Sequence, residues 1–304
     1  MTTRFATSLI LLLGMPFAAG ASTFVGTPPD QTVGVGQLAA FTLFLNTEGE
    51  SVNALDGTVS YDAEKLTFKS VADGDSVVTV WLKKLAVTRR GELSFSGVIP
   101  GGFTGGQGKL LTLYFTAREP GENAMTALGD AYLDDGKGTS ISVKPLNSSI
   151  TIVKEPVANA ISEADIEDVV APITFKAVIA QNESMFGGKP FIIIDARDSK
   201  SGIERYELLE SEVAHQLVEL QNDSSLPWRA IQNPDVLSSP LAKFIHVRAI
   251  DRAGNATVIE VAREAQLSPT PAAGGFSPLV AFGILAGGLV ILYFVYRLTK
   301  SSHA

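Results

Sequence analysis

Cysteine is absent from the 304 residues, and that single absence removes disulfides, thiolate metal sites and cysteine nucleophiles together. A chain without covalent staples must be held by its cores, which domains of about 90 to 130 residues can manage. Histidine is scarce: His215, His246 and His303 are the only three, and none stands in a two-histidine metal spacing. No Gly-x-Ser-x-Gly elbow, glycine-rich phosphate loop or His-Glu-x-x-His is present. The chain therefore reads as a non-enzyme. A carboxylate pair for glycoside hydrolysis would leave no mark in the sequence, so an anchored hydrolase stands as an outlying alternative.

Positive charge is also short. Lys and Arg total 24 against 32 Asp and Glu; without Arg4, Arg297 and Lys300, which lie in the terminal segments, 21 basic residues face the 32 acidic ones, a balance of −11. Nucleic-acid binding asks for a basic footprint, and none is present. Solubility outside the cell is sufficient reason for the acidity.

Long hydrophobic runs occur only at the two ends. Residues 1–21 read as a signal peptide, with Arg4 as the positive n-region, Leu9 to Leu13 as the apolar centre and Ala19-Gly20-Ala21 as a small-x-small cleavage site. Residues 276–296 carry no charge over a length that can cross a bilayer, with Tyr293 and Tyr296 at an interface position and Arg297 and Lys300 following as a cytoplasmic flank. The expectation is a single-pass cell-membrane protein with its ectodomain outside and residues 297–304 as a cytoplasmic tail. Gly283-x-x-x-Gly287 in the span would let two helices approach closely, which makes a homodimer one expected partner state.

Between the ends, β patterning dominates. In Asn53 to Phe68, Leu55, Gly57, Val59 and Tyr61 alternate with Asp56, Thr58 and Ser60; Asp62 to Lys65 break the pattern, and Leu66 and Phe68 resume it. Gln37 to Leu45, Ser76 to Val87, Glu92 to Val98, Lys109 to Ala117 and Ser148 to Val153 read as further strands. Gly101 to Gly106 and Gly121 to Ala124 read as turns, and Met125 to Leu128 as a short edge strand. Many short strands and no long helix predict a β-sandwich over residues 22–153. Residues 154–171 are an acidic linker with one helical turn capped by Ser162. Residues 172–263 carry a second, smaller β pattern, irregular from Ser211 to Pro240, and residues 264–275 form a Pro/Ala/Gly tether.

The order of features across the first domain resembles the cohesin family. The features are Val33-Gly34-Val35-Gly36, the Tyr61-Asp62 corner followed by Leu66, Arg90 to Phe95, Gly108 to Phe115 and Asn147 to Ile152. The resemblance implies a nine-stranded jelly-roll related to carbohydrate-binding modules, and a role in binding calcium-loaded dockerin modules on a scaffold. Asp198-Ser199-Lys200-Ser201-Gly202-Ile203 and Arg248-Ala249-Ile250-Asp251-Arg252-Ala253-Gly254-Asn255 resemble bacterial immunoglobulin-like modules, which implies a spacer or adhesion role. The fold class is thus all-β: a cohesin-like jelly-roll sandwich, a smaller immunoglobulin-like sandwich and one C-terminal transmembrane helix.

The cohesin resemblance also points to site residues. Dockerin-contacting cohesins carry Asn-x-Asp on the strand before Tyr-Asp; here the positions hold Ala54 and Asp56, and a later contact position falls on Ser96. Alternation places Trp81 outward beside Thr79 and Lys83, where an indole could stack on a sugar ring; this supports the alternative of a carbohydrate-binding protein in polysaccharide breakdown. Trp228 reads as a packing residue. No cofactor is implied except calcium, for which Asp134 and Asp135 in a glycine turn, and Asp195 with Asp198, supply hard oxygen ligands in what are also ordinary turn positions.

Overall fold

The computed structural model describes residues 22–262 except 159, 184, 223 and 224. The signal segment, the tether, the span 276–296 with Gly283 and Gly287, and His303 lie outside the described residues. Among the described residues no helix is long and apolar enough to cross a membrane.

The N-terminal part is a sandwich of ten strands: β1 Thr23–Thr27, β2 Asp30–Gly34, β3 Leu38–Asn46, β4 Val52–Ser60, β5 Leu66–Ala72, β6 Val80–Arg89, β7 Glu92–Phe103, β8 Gly108–Ala117, β9 Gly121–Leu133 and β10 Ser140–Val153. Hydrogen bonding runs β5-β8-β3-β1-β10-β9-β4-β7-β6, with β2 beside β10. The family resemblance implies nine strands; the tenth arises because Pro28 and Pro29 interrupt the first. Proline has no N–H for a ladder, so β1 pairs with β3 and, after the two prolines, β2 pairs with β10.

Alternation supplies the core. Phe41, Leu43 and Leu45 of β3 and Leu111, Leu113 and Phe115 of β8 point inward from one layer. Leu55 and Val59 of β4 and Leu93 and Phe95 of β7 meet them from the other. Gly57 pairs with Phe95, and a Cβ at Gly57 would stand 2.4 Å from the Phe95 ring; the glycine is the space that the ring fills. Tyr61, at the corner, packs its ring 4.9 Å from that of Phe115.

Three local readings change. Gly101 and Gly102 do not form a flexible turn; they sit in a bulge of β7, where φ of 81° and 73° requires glycine, and Phe103 returns to pair with Val52. Residues 121–133 are not a turn and an edge but one central strand, bonded to β10 on one side and β4 on the other. Its small inward residues, Ala127, Gly129 and Ala131, give little hydropathic contrast. In the third, the strand expected from Ser76 begins only at Val80.

Residues 163–166 form a single turn, α1 Glu163–Ile166, with Ser162 and Asp165 in a reciprocal capping box. The acidic segment around it packs against both neighbours: Gln37 bonds Val157 in both directions, and Asp168 is buried.

The C-terminal part has a three-stranded sheet and a four-stranded sheet. The first contains β11 Lys176–Gln181, β12 Pro190–Asp195 and β15 Asp235–Val236; the second contains β13 Ile203–Ser211, β14 Arg229–Ile231, β16 Phe244–Asp251 and β17 Ala256–Glu260. Ile179, Ile192 and Ile194 pack against Leu208, Ile245 and Val247 between them. The irregular stretch holds α2 Leu217–Asn222 and the very short β14 and β15, each below the length at which periodicity is visible.

Candidate functional site

The outward face of β9-β4-β7-β6 is built by strand register. Asp56 stands opposite Ser96 on one side and Asp130 on the other. Ser96 stands opposite Lys83, and Asp130 opposite Ser142. One row of polar side chains thus crosses five strands: Lys83, Ser96, Asp56, Asp130, Ser142. At its centre two carboxylates face each other, an arrangement that costs free energy on a sheet. Tyr132 donates its hydroxyl to Asp56 Oδ2 at 3.1 Å, and Ser142 donates to Asp130 Oδ1 at 3.0 Å. Beside this row Ala54, Val98 and Tyr132 form a small buried apolar cluster with Val80 and Leu82 packed against it, and on the other side Leu128 is 55% exposed.

The structure thus brings Asp56 and Ser96 together as direct neighbours. Ala54 lies on the same face beneath Tyr132, where the resemblance implies asparagine. Sequence reasoning missed Asp130; its strand was read as an edge, so its pairing with Asp56 was not visible.

Trp81 is placed differently from its expectation. A register shift between Trp81 and Lys83 breaks the alternation, so the indole turns inward and meets the Phe95 ring edge-on at 6.2 Å. It lies half-buried against the core rather than on the outward face. Its remaining edge lines a cleft of about 330 Å³ between the two domains, shared with Asp73, Lys84, Arg205, Tyr206 and Asn233. Burial pushes the Tyr206 phenol up to about 12. Trp228 packs beside Leu226 under the Arg248 guanidinium, 4.4 Å from the ring.

The junction between domains is close-fitting. The corner Asp73–Asp75 pairs by backbone with the loop Asp198–Ser201: Asp73 N to Ser201 O at 3.4 Å, Gly74 N to Lys200 O at 3.3 Å and Asp75 N to Asp198 O at 3.1 Å. Arg252 donates to Asp73 Oδ2 at 3.0 Å. Burial pushes the Asp73 carboxyl up, against the pull of Arg252. At Gly74 a Cβ would approach Lys200 N within 2.4 Å, and at Gly202 one would meet Asp73 Oδ1 at 1.6 Å.

Asp134 and Asp135 hold their own turn. Asp134 accepts from Asn53 Nδ2 at 3.2 Å, and Asp135 accepts from Lys137 N at 2.8 Å and from the Thr139 hydroxyl. The Thr139 bond, then that of Lys137, keeps the Asp135 carboxyl below its ordinary range. Asp195 is exposed; the carboxylates that gather with Asp198 are those of Asp168 and Asp251. These are the described residues that could hold a metal.

His215 and His246 come together with ring centroids 6.2 Å apart. His246 is fully buried, and this burial pulls its pKa down despite Glu260 Oε2 at 3.7 Å.

No protein-family model matches the chain. No curated protein matches it. Among solved structures, it is similar to a non-cellulosomal cohesin from Archaeoglobus fulgidus at 19% identity, covering 44% of this chain and 93% of that one with a TM-score of 0.37. A cohesin module from a family 33 glycoside hydrolase of Clostridium perfringens gives 19% identity, 45% and 98% coverage and a TM-score of 0.34. The Coh-OlpA–Doc918 type I cohesin–dockerin complex from Clostridium thermocellum gives 11% identity, 44% and 100% coverage and a TM-score of 0.37.

Proposed function

We propose that this protein is a membrane-anchored, extracellular recognition protein that presents the β9-β4-β7-β6 face of its first sandwich to a protein partner. The second domain serves as its stalk. The observation that carries the reading is the opposed pair Asp56 and Asp130 at the centre of a polar row whose other charged member is Lys83, bordered by exposed Leu128. A partner that brings hydroxyl, amide or cationic donors to the two carboxylates relieves their repulsion, and exposed Leu128 supplies apolar contact beside them. The cohesin resemblance of residues 26–153 makes a dockerin-like module the first partner class to test. The glycan alternative leaned on an outward Trp81, and the indole's packing against Phe95 gives it less support.

The test is a pull-down with the full chain as bait. Wild type should capture a protein that Asp56→Ala and Leu128→Arg baits lose, while both variants keep wild-type thermal stability. Capture that survives both substitutions would remove this face from the account. Retention of glycan alone would move the protein to the carbohydrate binders.

A further inference from the structure

Three carboxylates from distant parts of the chain meet inside the second domain. Asp168 arrives from the acidic segment, Asp198 from the β12–β13 loop and Asp251 from the end of β16; they are 7%, 3% and 1% exposed. An oxygen from each lies within 4.8 Å of one from each of the others. Three carboxylates buried at such distances repel one another and have lost much of their hydration, so gathering them is costly unless a cation joins them. No cationic side chain among the described residues forms a salt bridge with them. Arg252 goes to Asp73 and Glu204, and Lys200 Nζ to the carbonyl of Glu167.

What the carboxylates do have is a scaffold. Asp168 accepts from Val170 N at 3.0 Å and Ser201 N at 2.9 Å. Asp251 accepts from Asn255 N and Asn255 Nδ2, both at 2.8 Å. Asp198 accepts from Lys200 N at 2.9 Å and Gly202 N at 2.7 Å, both on Oδ2. Its other oxygen, Oδ1, is buried and has no donor at all. A buried carboxylate oxygen without a donor, inside a group of three such carboxylates, is a position that a cation would satisfy.

We propose that Asp168, Asp198 and Asp251 form a calcium site. All three donors are hard anionic oxygens, with no imidazole or thiolate, which disfavours zinc. A buried cage of carboxylates suits the irregular, high coordination of calcium better than magnesium, which keeps its waters. The ion would tie the acidic segment to the second domain through Asp168. It would also stiffen the Asp198–Ser201 loop, whose other edge carries the first domain's corner Asp73–Asp75. Calcium therefore fixes how the stalk holds the recognition domain.

The experiment is calcium titration of the full chain by calorimetry, with thermal unfolding followed in calcium, in magnesium and in chelator. Wild type should bind one calcium saturably and melt higher in calcium than in chelator or magnesium. Asp198→Asn keeps an oxygen for Lys200 N and Gly202 N but removes the charge. It should bind calcium weaker by roughly tenfold or more, show a smaller rise of melting temperature in calcium, and in chelator melt no lower than wild type. That last outcome separates a lost ion from a damaged fold. Asp251→Asn should weaken calcium binding in the same way, but because both its oxygens accept from Asn255 it should also melt lower in chelator. A folded wild type that binds no calcium, or an Asp198→Asn chain that binds it as tightly, would overturn the site. Partner capture through Asp56 is read separately, so failure of either proposal leaves the other visible.

Discussion

The two domains are held by different means. The first sandwich is filled with large apolar side chains, with Phe24, Phe41, Phe95 and Phe115 almost wholly buried, and its buried polar residues are uncharged apart from Asp73 at the junction. The second has a thinner aliphatic core and keeps several polar groups inside: Asp168, Asp198, Asp251 and His246. Apolar burial is non-directional and contains no group that titrates or binds ions; buried ionisable groups respond to both protons and ions. The first domain is thus built as a constant platform. The second is built as a joint whose stability responds to ions and protons.

The largest expected effect strikes the platform. Phe115→Ala removes a ring that packs against Tyr61 and Phe68 and should cost about 3–5 kcal/mol, measured by denaturant unfolding. Equal loss of stability from Ala at exposed Leu128 would contradict the assigned layers.

Next is the junction. Gly202 has φ of 87° and no room for a Cβ beside Asp73. Gly202→Ala should cost more than about 1 kcal/mol and separate calorimetric unfolding into two transitions. A single unshifted transition would show that the domains are not coupled there.

A smaller, pH-dependent effect belongs to His246. Its pKa is depressed by burial, with Glu260 pulling the other way and His215 adding to the depression. A depressed folded-state value means stability that is present above the unfolded value, about 6.5, and lost as pH falls below it. The second domain should lose stability on mild acidification, and His246→Leu should flatten that slope. An unchanged slope in the variant would assign the acid sensitivity elsewhere.

The smallest effect is at the face. Asp130→Asn relieves the repulsion with Asp56 and should leave stability within about 0.5 kcal/mol of wild type while weakening partner capture. A large loss of stability would make the pair structural.

Legibility followed the same division. Strong alternation in β3, β4 and β8 exposed the first core and put Asp56 on the outward side. Asp130 escaped because small residues around it blur the alternation of β9. Trp81 was misplaced because a register irregularity in β6 reverses inside and outside. In the second domain Asp198 was legible as an oxygen donor, but its neighbours Asp168 and Asp251 are joined to it only by tertiary folding. Each is an ordinary turn or strand-end residue locally, and sequence spacing carries no sign of their meeting.

The central claim is that recognition belongs to one face of the first sandwich. It is tested most directly by amide hydrogen exchange of the full chain with and without its captured partner. Binding should slow exchange in β9, β4, β7 and β6 and leave β5, β8 and β3 unchanged. Protection confined to β5-β8-β3 or to the second domain would contradict it.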